Sequence, residues 1–305
     1  MKPWFFHFLV VMLCLPGCAV GSGGAKSGAY EPMKPVEGSS WELVFQRETA
    51  EPVRIAAFLD GRFGVTGGPS EAGKARFTAD GGLSWSPSDG SADCLFGLDV
   101  VDARIAWQCS SGPVRVSTDG ARTWTAVGDF GNFCRQLSFL DAATGWIADK
   151  ERLGATRDGG RTWGRVELPR GLGHIAAVGL RTPREGYLLD IGGAFFVTVD
   201  GGSTWTPRNL PLDPAGSDLP DHDTASAAVR FTDAEHGTVV VHVVESNSSR
   251  LIVFRTADAG RTWSRKTVMD VPLLISVYLS HDARVLTVVD KLESNFVVLR
   301  DAEAE

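Results

Sequence analysis

The densest group of potential metal or partner ligands lies in a polar segment near residues 209–224. Asp221, His222 and Asp223 follow one another there. Carboxylate oxygens are the ligands that hard divalent cations prefer, and connections longer than about 12–15 residues are often functional. The spacing lacks the order of a calcium-binding loop, so we assign no metal ligand. We expect a loop that docks a partner, with a weak cation site and a solvated insertion as the alternatives.

Three arginines occupy related places before aspartates that end short apolar runs. Arg54 and Arg135 each precede such an aspartate by six residues, whereas Arg230 precedes its own by three. Equivalent places in neighbouring repeats face a common axis, where guanidinium groups would bind an anionic group. The alternative is that each arginine pairs with a nearby carboxylate.

Local catalytic motifs are absent from the chain. No G-x-S-x-G, H-E-x-x-H or C-x-x-C sequence occurs, so we assign no catalytic residue and expect no cofactor. Two carboxylates carried by separate parts of a fold leave no local motif. Glycoside hydrolysis of that kind therefore stays open.

The elements that must position these side chains are built on an eight-residue repeat, S/T-x-D-x-G-x-S/T-W. Its five copies, some of them close variants, place their aspartates 39, 39, 42 and 58 residues apart, and a period near 40 is typical of blade arrays. In each copy the aspartate caps its own backbone, a glycine takes a positive φ, and the tryptophan packs as the next strand begins. The structural residues of the copies are Asp80 and Trp85, Asp119 and Trp124, Asp158 and Trp163, Asp200 and Trp205, and Asp258 and Trp263.

A second motif precedes most of these copies by about 17 residues. It is clearest as Phe139-Leu-Asp141-Ala-Ala-Thr-Gly145-Trp146. The eight-residue repeat resembles the Asp-box, or BNR, repeat of sialidase-type β-propellers. The two motifs together resemble the photosystem II stability/assembly factor-like family, over roughly residues 40–302.

The repeats predict an all-β fold, a six-bladed β-propeller of four-stranded blades. Five complete units run from Val53 to about Asp270, and the tail supplies three further strands. Trp41–Arg47 resembles the segment that follows each repeat, so we expect it to complete the C-terminal blade and close the ring. The photosynthetic members of the family are expected to have seven blades, and this chain departs from them there.

The resemblance implies binding rather than catalysis. We expect a non-enzymatic scaffold, or assembly and stability factor, for an envelope or membrane complex, docking through the face opposite the Asp boxes. The alternative is a carbohydrate-active propeller, either a glycan binder or a divergent sialidase-like hydrolase. The arginine-isoleucine-proline signature of sialidases is absent, since the nearest string is Arg54-Ile55-Ala56. Tyr278 is the one tyrosine that remains for a nucleophile, and no glutamate partner is evident.

The N-terminus has the pattern of an export signal. Lys2 precedes an apolar stretch from Trp4 to Leu15, which is too short to span a bilayer as a mature helix. The string Leu15-Pro-Gly-Cys18 resembles a bacterial lipobox, which predicts acylation of Cys18 and stable anchoring by two or three chains. Ordinary signal cleavage near Ala19 is the alternative.

These features divide the chain into three parts. Residues 1–18 are a lipoprotein signal, residues 19–38 a flexible tether rich in Gly and Ser, and residues 39–305 the propeller. Ala19, in place of Asp, favours the outer membrane in a Gram-negative host. We expect a lipid-anchored protein of the bacterial cell envelope, or a secreted or periplasmic one if the lipobox interpretation fails.

Three cysteines remain after the signal, an odd number for an oxidising compartment. Cys94 and Cys134 occupy near-equivalent starts of neighbouring inner strands, so a disulfide between them is the preferred pairing. The two pairings that involve Cys109, and three buried thiols, stay open.

The charge balance restricts the partners. The chain has a formal net charge of −7 and a pI near 5.4. Nucleic-acid binding needs a basic face, so we expect no nucleic-acid partner. A protein complex, the membrane through the N-terminal lipid, and a glycan as the alternative remain.

Overall fold

The computed structural model describes residues 33–48, 52–68, 74–92, 94–131, 133–212, 227–245, 248–271, 274–290 and 295–303. Every regular element in these ranges is a β-strand. The strands form six sheets of four antiparallel strands, and the innermost strands contact one another in cyclic order. The predicted six-bladed, all-β propeller is confirmed.

Each blade presents its first strand to the central channel and its fourth to the outside. Blade 1 contains β2 (Ile55–Phe58), β3 (Gly64–Gly67), β4 (Arg76–Thr78) and β5 (Ser86–Pro87). Blade 2 contains β6 (Gly97–Val100), β7 (Ala106–Cys109), β8 (Val114–Ser117) and β9 (Thr125–Gly128). Blade 3 contains β10 (Gln136–Phe139), β11 (Gly145–Ala148), β12 (Leu153–Thr156) and β13 (Gly164–Val166).

The second half of the ring has the same arrangement. Blade 4 contains β14 (Ile175–Leu180), β15 (Gly186–Asp190), β16 (Ala194–Thr198) and β17 (Thr206–Asn209). Blade 5 contains β18 (Ala227–Phe231), β19 (His236–Glu245), β20 (Ser248–Ala257) and β21 (Ser264–Asp270). Blade 6 contains β22 (Leu274–Leu279), β23 (Val285–Asp290), β24 (Asn295–Asp301) and β1 (Trp41–Glu48).

The core lies between neighbouring blades. Trp107 of blade 2 stacks on Phe139 of blade 3 with ring centroids 3.7 Å apart, and Tyr187 of blade 4 stacks on Phe231 of blade 5 at 3.8 Å. Each pair buries two large apolar rings at the contact between neighbouring blades. The aromatic that follows the motif glycine is therefore a structural residue, as its position indicates.

The Asp-box turns repeat one hydrogen-bond pattern. In blade 3 the Thr156 hydroxyl donates to Asp158 Oδ1 at 2.9 Å and accepts from the Gly160 N–H at 2.9 Å. The Thr162 N–H donates to Asp158 Oδ1 at 3.0 Å, and its hydroxyl donates to Asp158 Oδ2 at 2.6 Å. The same four bonds occur in the other four boxes. The motif thus builds a turn and leaves its carboxylate fully engaged.

Both residues after each Asp-box aspartate have positive φ. In blade 3 they are Gly159 and Gly160, at 73° and 74°. Two boxes use alanine at one of these positions, namely Ala121 at 61° and Ala259 at 60°. A left-handed alanine costs roughly 1–2 kcal/mol, so these two boxes carry strain that the glycine-only boxes lack.

The N-terminal strand closes the ring, as predicted. β1 pairs with β24 in antiparallel register from Trp41 opposite Asp301 to Glu48 opposite Asn295. The strand is one residue longer than the expected Trp41–Arg47. It leaves blade 6 with the same four strands as the other blades, so the ring has no open seam.

The chain upstream of β1 is also attached. Pro35 forms a bridge with Met269, the Val36 N–H donates to the Val268 carbonyl at 2.8 Å, and Met33 is buried. The last residues of the segment 19–38, expected as tether, therefore lie on the outer edge of blade 5. The signal and Cys18 lie outside the described residues, and those described include no helix with the length and hydropathy needed to traverse a bilayer.

The spacing of 58 residues before the fifth Asp box has two sources. The sequence indicated that most of the extra length, relative to the usual spacing of about 40 residues, lies in the segment near residues 209–224. In the structure, β19 and β20 have ten residues each, where the equivalent β11 and β12 have four. The long hairpin contributes about as many extra residues as the connection from β17 to β18, and the valine-rich run of β19 was its signal in the sequence.

The preferred disulfide was wrong. Cys109 is bonded to Cys134, with Cα atoms 5.8 Å apart, and Cys94 is in no disulfide. Cys109 ends the second strand of blade 2, and Cys134 precedes the first strand of blade 3. The end of the second strand of blade 2 therefore lies beside the start of the first strand of blade 3. The predicted pairing compared only the first strands of the two blades, so it did not include this contact.

Candidate binding cavity at the Asp-box face

The two faces of the propeller carry different turns. Because the strands of a blade alternate in direction, the turn between the first two strands lies at the same end as the Asp-box turn between the last two. We call this end the Asp-box face and the other the opposite face. The opposite face carries the turns between second and third strands and the connections between blades.

A cavity of about 960 Å³ opens at the Asp-box face. It begins at the mouth of the channel, beside Leu140 and Leu180, and extends over blades 5 and 6 to Asp301. Twelve of its seventeen lining residues are polar or charged. Small-molecule sites are usually lined mainly by apolar side chains, so this lining is closer to that of a polar interface. This cavity lies at the face other than the one at which the sequence led us to expect docking, and the expected docking at the opposite face remains a prediction.

The floor of the cavity is a buried charge network that crosses the channel. Asp99 of blade 2 has no exposed surface. Its Oδ1 accepts from Arg230 Nη2 of blade 5 at 2.6 Å and lies 3.0 Å from Nε2 of His281 in blade 6. Its Oδ2 accepts the Phe139 N–H of blade 3 at 2.7 Å. One carboxylate thereby joins four blades.

Further hydrogen bonds fix the arginine of this network. Arg230 Nη1 donates to the Ser138 hydroxyl at 3.2 Å, and Nε donates to the Leu279 carbonyl at 3.2 Å. The guanidinium also lies 5.9 Å from the centroid of the Tyr278 ring. The Tyr278 hydroxyl donates to the Val100 carbonyl at 2.9 Å. Arg230 is held on every side and lies below the mouth.

Ion pairs line the walls above. Arg181 pairs with Glu185, and Arg255 pairs with Asp301. Glu303 accepts from Lys266 at 2.9 Å and lies 3.4 Å from Arg255 Nη1. Arg181–Glu185 and the pairs of Glu303 are partly exposed and contribute little to stability, whereas the Asp301 side chain is 3% exposed and its pair with Arg255 is largely buried. They do present both signs of charge along one groove.

Arg284 differs from the other arginines of the cavity. Its side chain is exposed at the rim. Its backbone is fixed, since its N–H donates to Asp282 Oδ1 at 3.0 Å and its carbonyl accepts from the Asp301 N–H at 3.0 Å. A rigid backbone with a solvated guanidinium is suited to contact with an arriving ligand.

Three carboxyl groups of the network, an Asp box and the cavity wall have a lowered pKa. Burial would raise the pKa of Asp99, but the charges of Arg230 and His281 and the hydrogen bonds that it accepts lower it to about 2. The hydroxyl and N–H of Thr162 likewise lower the pKa of Asp158 to about 2. The hydrogen bond from Lys266 lowers the pKa of Glu303. A general acid needs a raised carboxyl pKa, and every shift resolved for a carboxyl among the described residues is downward.

Tyr278 is not available as a nucleophile. It is buried, and burial first, followed by the charge of Asp99, raises its pKa. Both hydrogen-bond functions of its hydroxyl are used by Val100, since the Val100 N–H also donates to it at 3.2 Å. The structure gives this tyrosine a structural role between blades 6 and 2.

Arg54, Arg135 and Arg230, which the sequence indicated as candidate binding residues, lie in different parts of the structure. Arg135 and Arg230 both line a narrow part of the channel, of about 30 Å³, below the cavity. Arg54 lies with its guanidinium 5.4 Å from the Phe96 centroid and does not line that space. For Arg230 the carboxylate-paired alternative is what the structure shows.

The sequence patterns did not predict three residues of the buried charge network, namely Asp99, Ser138 and His281. Asp99 and Ser138 occupy the same register position as Arg230, three residues before the first-strand aspartate of their blades. Comparing that single position across blades would have revealed three polar residues inside apolar strands. His281 has no equivalent in the repeat and left no signal.

The cluster of Asp221, His222 and Asp223 lies outside the described residues. Within the described part of the chain, no group of three or more His, Cys, Asp or Glu side chains is arranged to hold a metal ion. The loop therefore remains a prediction.

Comparisons with known proteins place the fold. No family model matches the chain, and no curated protein matches it. Among solved structures, YCF48 bound to a D1 peptide has a TM-score of 0.52 and 14% identity, covering 88% of this chain and 99% of that one. The GH74 enzyme of Niastella koreensis has a TM-score of 0.52 and 14% identity over 82% of this chain. The RRP9 WD40 repeats have a TM-score of 0.56 and 10% identity, covering 88% of this chain and 100% of that one.

The fold is a β-propeller. At these identities the likenesses show the fold alone, because binding proteins and enzymes share it. The match spans 44% of the GH74 enzyme chain. Function must therefore be argued from this chain's own cavity.

Proposed function

We propose that this protein is a non-enzymatic exported lipoprotein, anchored through Cys18, that acts as a binding scaffold for a membrane or envelope complex. Its docking site is the cavity at the Asp-box face, and its ligand is a polar segment of a partner protein. The single observation that carries this proposal is the cavity's composition, a groove of about 960 Å³ with twelve polar or charged residues among seventeen.

The charges of the groove favour a polypeptide. Arg181 and Arg255 line it together with carboxylates such as Asp301. Mixed charge of this kind provides specificity toward a segment with complementary charges. YCF48, a propeller of similar fold, has been solved with a D1 peptide bound, which supports the same kind of ligand.

The carboxyl groups whose pKa shifts are resolved do not favour the carbohydrate-active alternative. Glycoside hydrolysis uses one carboxylic acid with a raised pKa. Asp99 is buried in ion pairs, and the pKa of Glu303 on the cavity wall is lowered. These observations favour binding over catalysis.

The proposal is tested by co-purification from membranes with charge-reversed variants. Arg284→Glu reverses the exposed guanidinium at the cavity rim, whereas Arg170→Glu makes the same change on the opposite face, between β13 and β14. We expect one protein to co-purify with the wild type and with Arg170→Glu, and to be reduced at least about tenfold with Arg284→Glu, equivalent to about 1.4 kcal/mol. Equal recovery from both variants contradicts this docking site.

A parallel assay addresses the alternative. Purified protein is incubated with β-glucan and sialoside substrates, and released sugar is measured. We expect none above the buffer control. Release that is lost in Asp301→Asn would replace the scaffold function with hydrolysis.

A further inference from the structure

The chain enters the propeller at one fixed edge. Pro35 bridges Met269 of β21, the Val36 N–H donates to the Val268 carbonyl at 2.8 Å, and the Met33 side chain is 2% exposed. Proline lacks an N–H and is tolerated at a sheet edge. The entry point is thus held by backbone pairing and by one buried side chain on the outside of blade 5.

The pairing also fixes the face at which the chain arrives. β21 runs from Ser264, next to its Asp-box turn, to Asp270 at the opposite face. Because Pro35 and Met269 pair in antiparallel orientation, the described segment runs from Met33, on the side of the opposite face, toward the Asp-box face. It then turns near Gly38, and β1 begins at the Asp-box face with Trp41 opposite Asp301.

We infer that the anchored protein stands with its opposite face toward the lipid bilayer and its Asp-box face, with the cavity, directed away from it. This inference rests on the lipid attachment at Cys18, which belongs to the proposed function. The occupant of the opposite face is the lipid surface, and the Asp-box face is left accessible to a partner protein.

The length of the connection supports this orientation. Fourteen residues, 19–32, separate Cys18 from Met33, and a Gly- and Ser-rich linker of this length would span roughly 20 Å at about 5–6 Å × √n. The ten-residue strand β20 is about 33 Å long at about 3.3 Å per residue. A tether that starts at the opposite face is on average shorter than blade 5 is tall, so turning the domain over would stretch it.

The orientation is measured by fluorescence energy transfer to labelled lipid. A donor dye is attached at Arg170→Cys on the opposite face or at Val199→Cys on the Asp-box face, where Val199 is 64% exposed. Both variants carry Cys94→Ser, so that one thiol is labelled. The full chain is bound to phosphatidylcholine vesicles that contain an acceptor-labelled phosphatidylethanolamine. We expect transfer to be at least about twofold more efficient from position 170, and equal or reversed efficiencies overturn the inference.

A second variant moves the entry point. Met33→Asp with Val36→Asp detaches the segment from β21, so that Trp41 at the Asp-box face becomes the first fixed residue. We expect the difference between the two dye positions to disappear or reverse. Lys34→Asp, at an exposed position of the same segment, is the matched control and should keep the wild-type difference. An unchanged difference in the double variant contradicts the inference.

Lipidation and orientation are separated by using two forms of the chain. The intact mass of the protein purified from membranes reports acylation of Cys18 and tests the proposed anchor. For the orientation, a Cys18→Ser chain with a histidine tag inserted after residue 18 is bound to vesicles that contain nickel-chelating lipid. This form is held at the same residue without acylation, so its transfer efficiencies support or overturn the orientation in either case.

Discussion

At the scale of single residues, the network around Asp99 explains how the channel is closed. Asp99 carries its negative charge in a site without solvent, and Arg230, His281 and the Phe139 N–H supply the compensation. A buried ion pair contributes less net stability than its geometry suggests, because desolvation offsets the attraction. Removing one partner is much more costly, since it leaves a buried charge uncompensated.

Arg230→Met is expected to destabilise the protein by about 3–5 kcal/mol, because Asp99 loses its main counter-charge. The double variant Asp99→Leu with Arg230→Met should be more stable than Arg230→Met alone, since both charges are then gone. Urea denaturation followed by tryptophan fluorescence measures both. A loss below about 1 kcal/mol in the single variant would mean that the pair is not the buried contact described.

At the scale of elements, the Asp-box turn combines carboxylate hydrogen bonds with two left-handed residues. The sequence revealed the motif, its spacing and its turn. It did not show that both residues after the aspartate are left-handed, because neither position is glycine in all five copies. The length of β19 and β20 in blade 5 was also not predicted from the sequence. Val243 of β19 belongs to the same buried hydrophobic cluster as Leu210, which follows β17 of blade 4, and contacts between such distant residues leave no local pattern.

The Asp-box carboxylates make the fold sensitive to acid. Hydrogen bonds from the box residues lower the pKa of Asp80, Asp158, Asp200 and Asp258 to about 2, from an ordinary value of 3.8. A lowered pKa gives stability that is present above 3.8 and is lost as the pH falls toward 2. We expect the melting temperature to fall across this range. Asp158→Asn should lower it at pH 7 and flatten its pH dependence, and an unaltered pH profile in this variant would contradict the assignment.

The alanine boxes offer a stabilising change. Ala259, at φ 60°, is replaced by glycine, which adopts this conformation without strain. Relief of about 1–2 kcal/mol of strain is partly offset by about 0.4–1 kcal/mol of backbone entropy in the unfolded chain. Thermal unfolding should therefore show Ala259→Gly to be more stable by up to about 1.5 kcal/mol, whereas Gly159→Ala, the reverse change in blade 3, should be less stable.

The contribution of the Cys109–Cys134 disulfide to the free energy of unfolding should be measurable. The disulfide closes a separation of 25 residues, for which chain-entropy estimates give about 3 kcal/mol of stabilisation. Cys134→Ser should lose about this amount in urea denaturation, while Cys94→Ser should lose much less. Proteolysis without reduction should yield a linked peptide pair with Cys109 and Cys134, and a pair that contains Cys94 would contradict the assignment.

At the scale of the whole molecule, ring closure couples the two ends of the chain. Trp41 of β1 is 2% exposed and lies with Arg255 6.0 Å above its ring. Phe45 of the same strand contacts Phe58 of blade 1 and Phe296 of blade 6. Closure therefore depends on β1 as much as on the C-terminal strands.

Trp41→Ala is expected to cost about 3–5 kcal/mol, the usual range for removing a buried large aromatic. Leu43→Ala, in the same strand but 42% exposed, is the matched control and should cost less than about 1 kcal/mol. Denaturation curves of both variants provide the comparison. Equal losses would show that β1 contributes only its backbone pairing to closure.

The overall architecture was predictable because it is written in a periodic pattern. Blade number, strand order and closure all follow from copies of the same motif. The cavity floor was predictable only in part, because Asp99, Ser138 and Arg230 share one register position in blades 2, 3 and 5, whereas His281 of blade 6 has no equivalent in the repeat. Two further lining residues of the cavity, Arg284 and Glu303, lie within or just after the strands of blade 6, where the repeat motif degenerates.

The claim that a partner protein docks at the Asp-box face is tested most directly by site-specific photo-crosslinking in membranes. A photoreactive amino acid replaces Arg284 at the cavity rim or Arg170 on the opposite face, and the crosslinked peptides are sequenced. We predict that one segment of one partner protein is recovered from position 284 and not from position 170. Recovery of that partner from position 170 alone would contradict the claim and return the docking site to the opposite face.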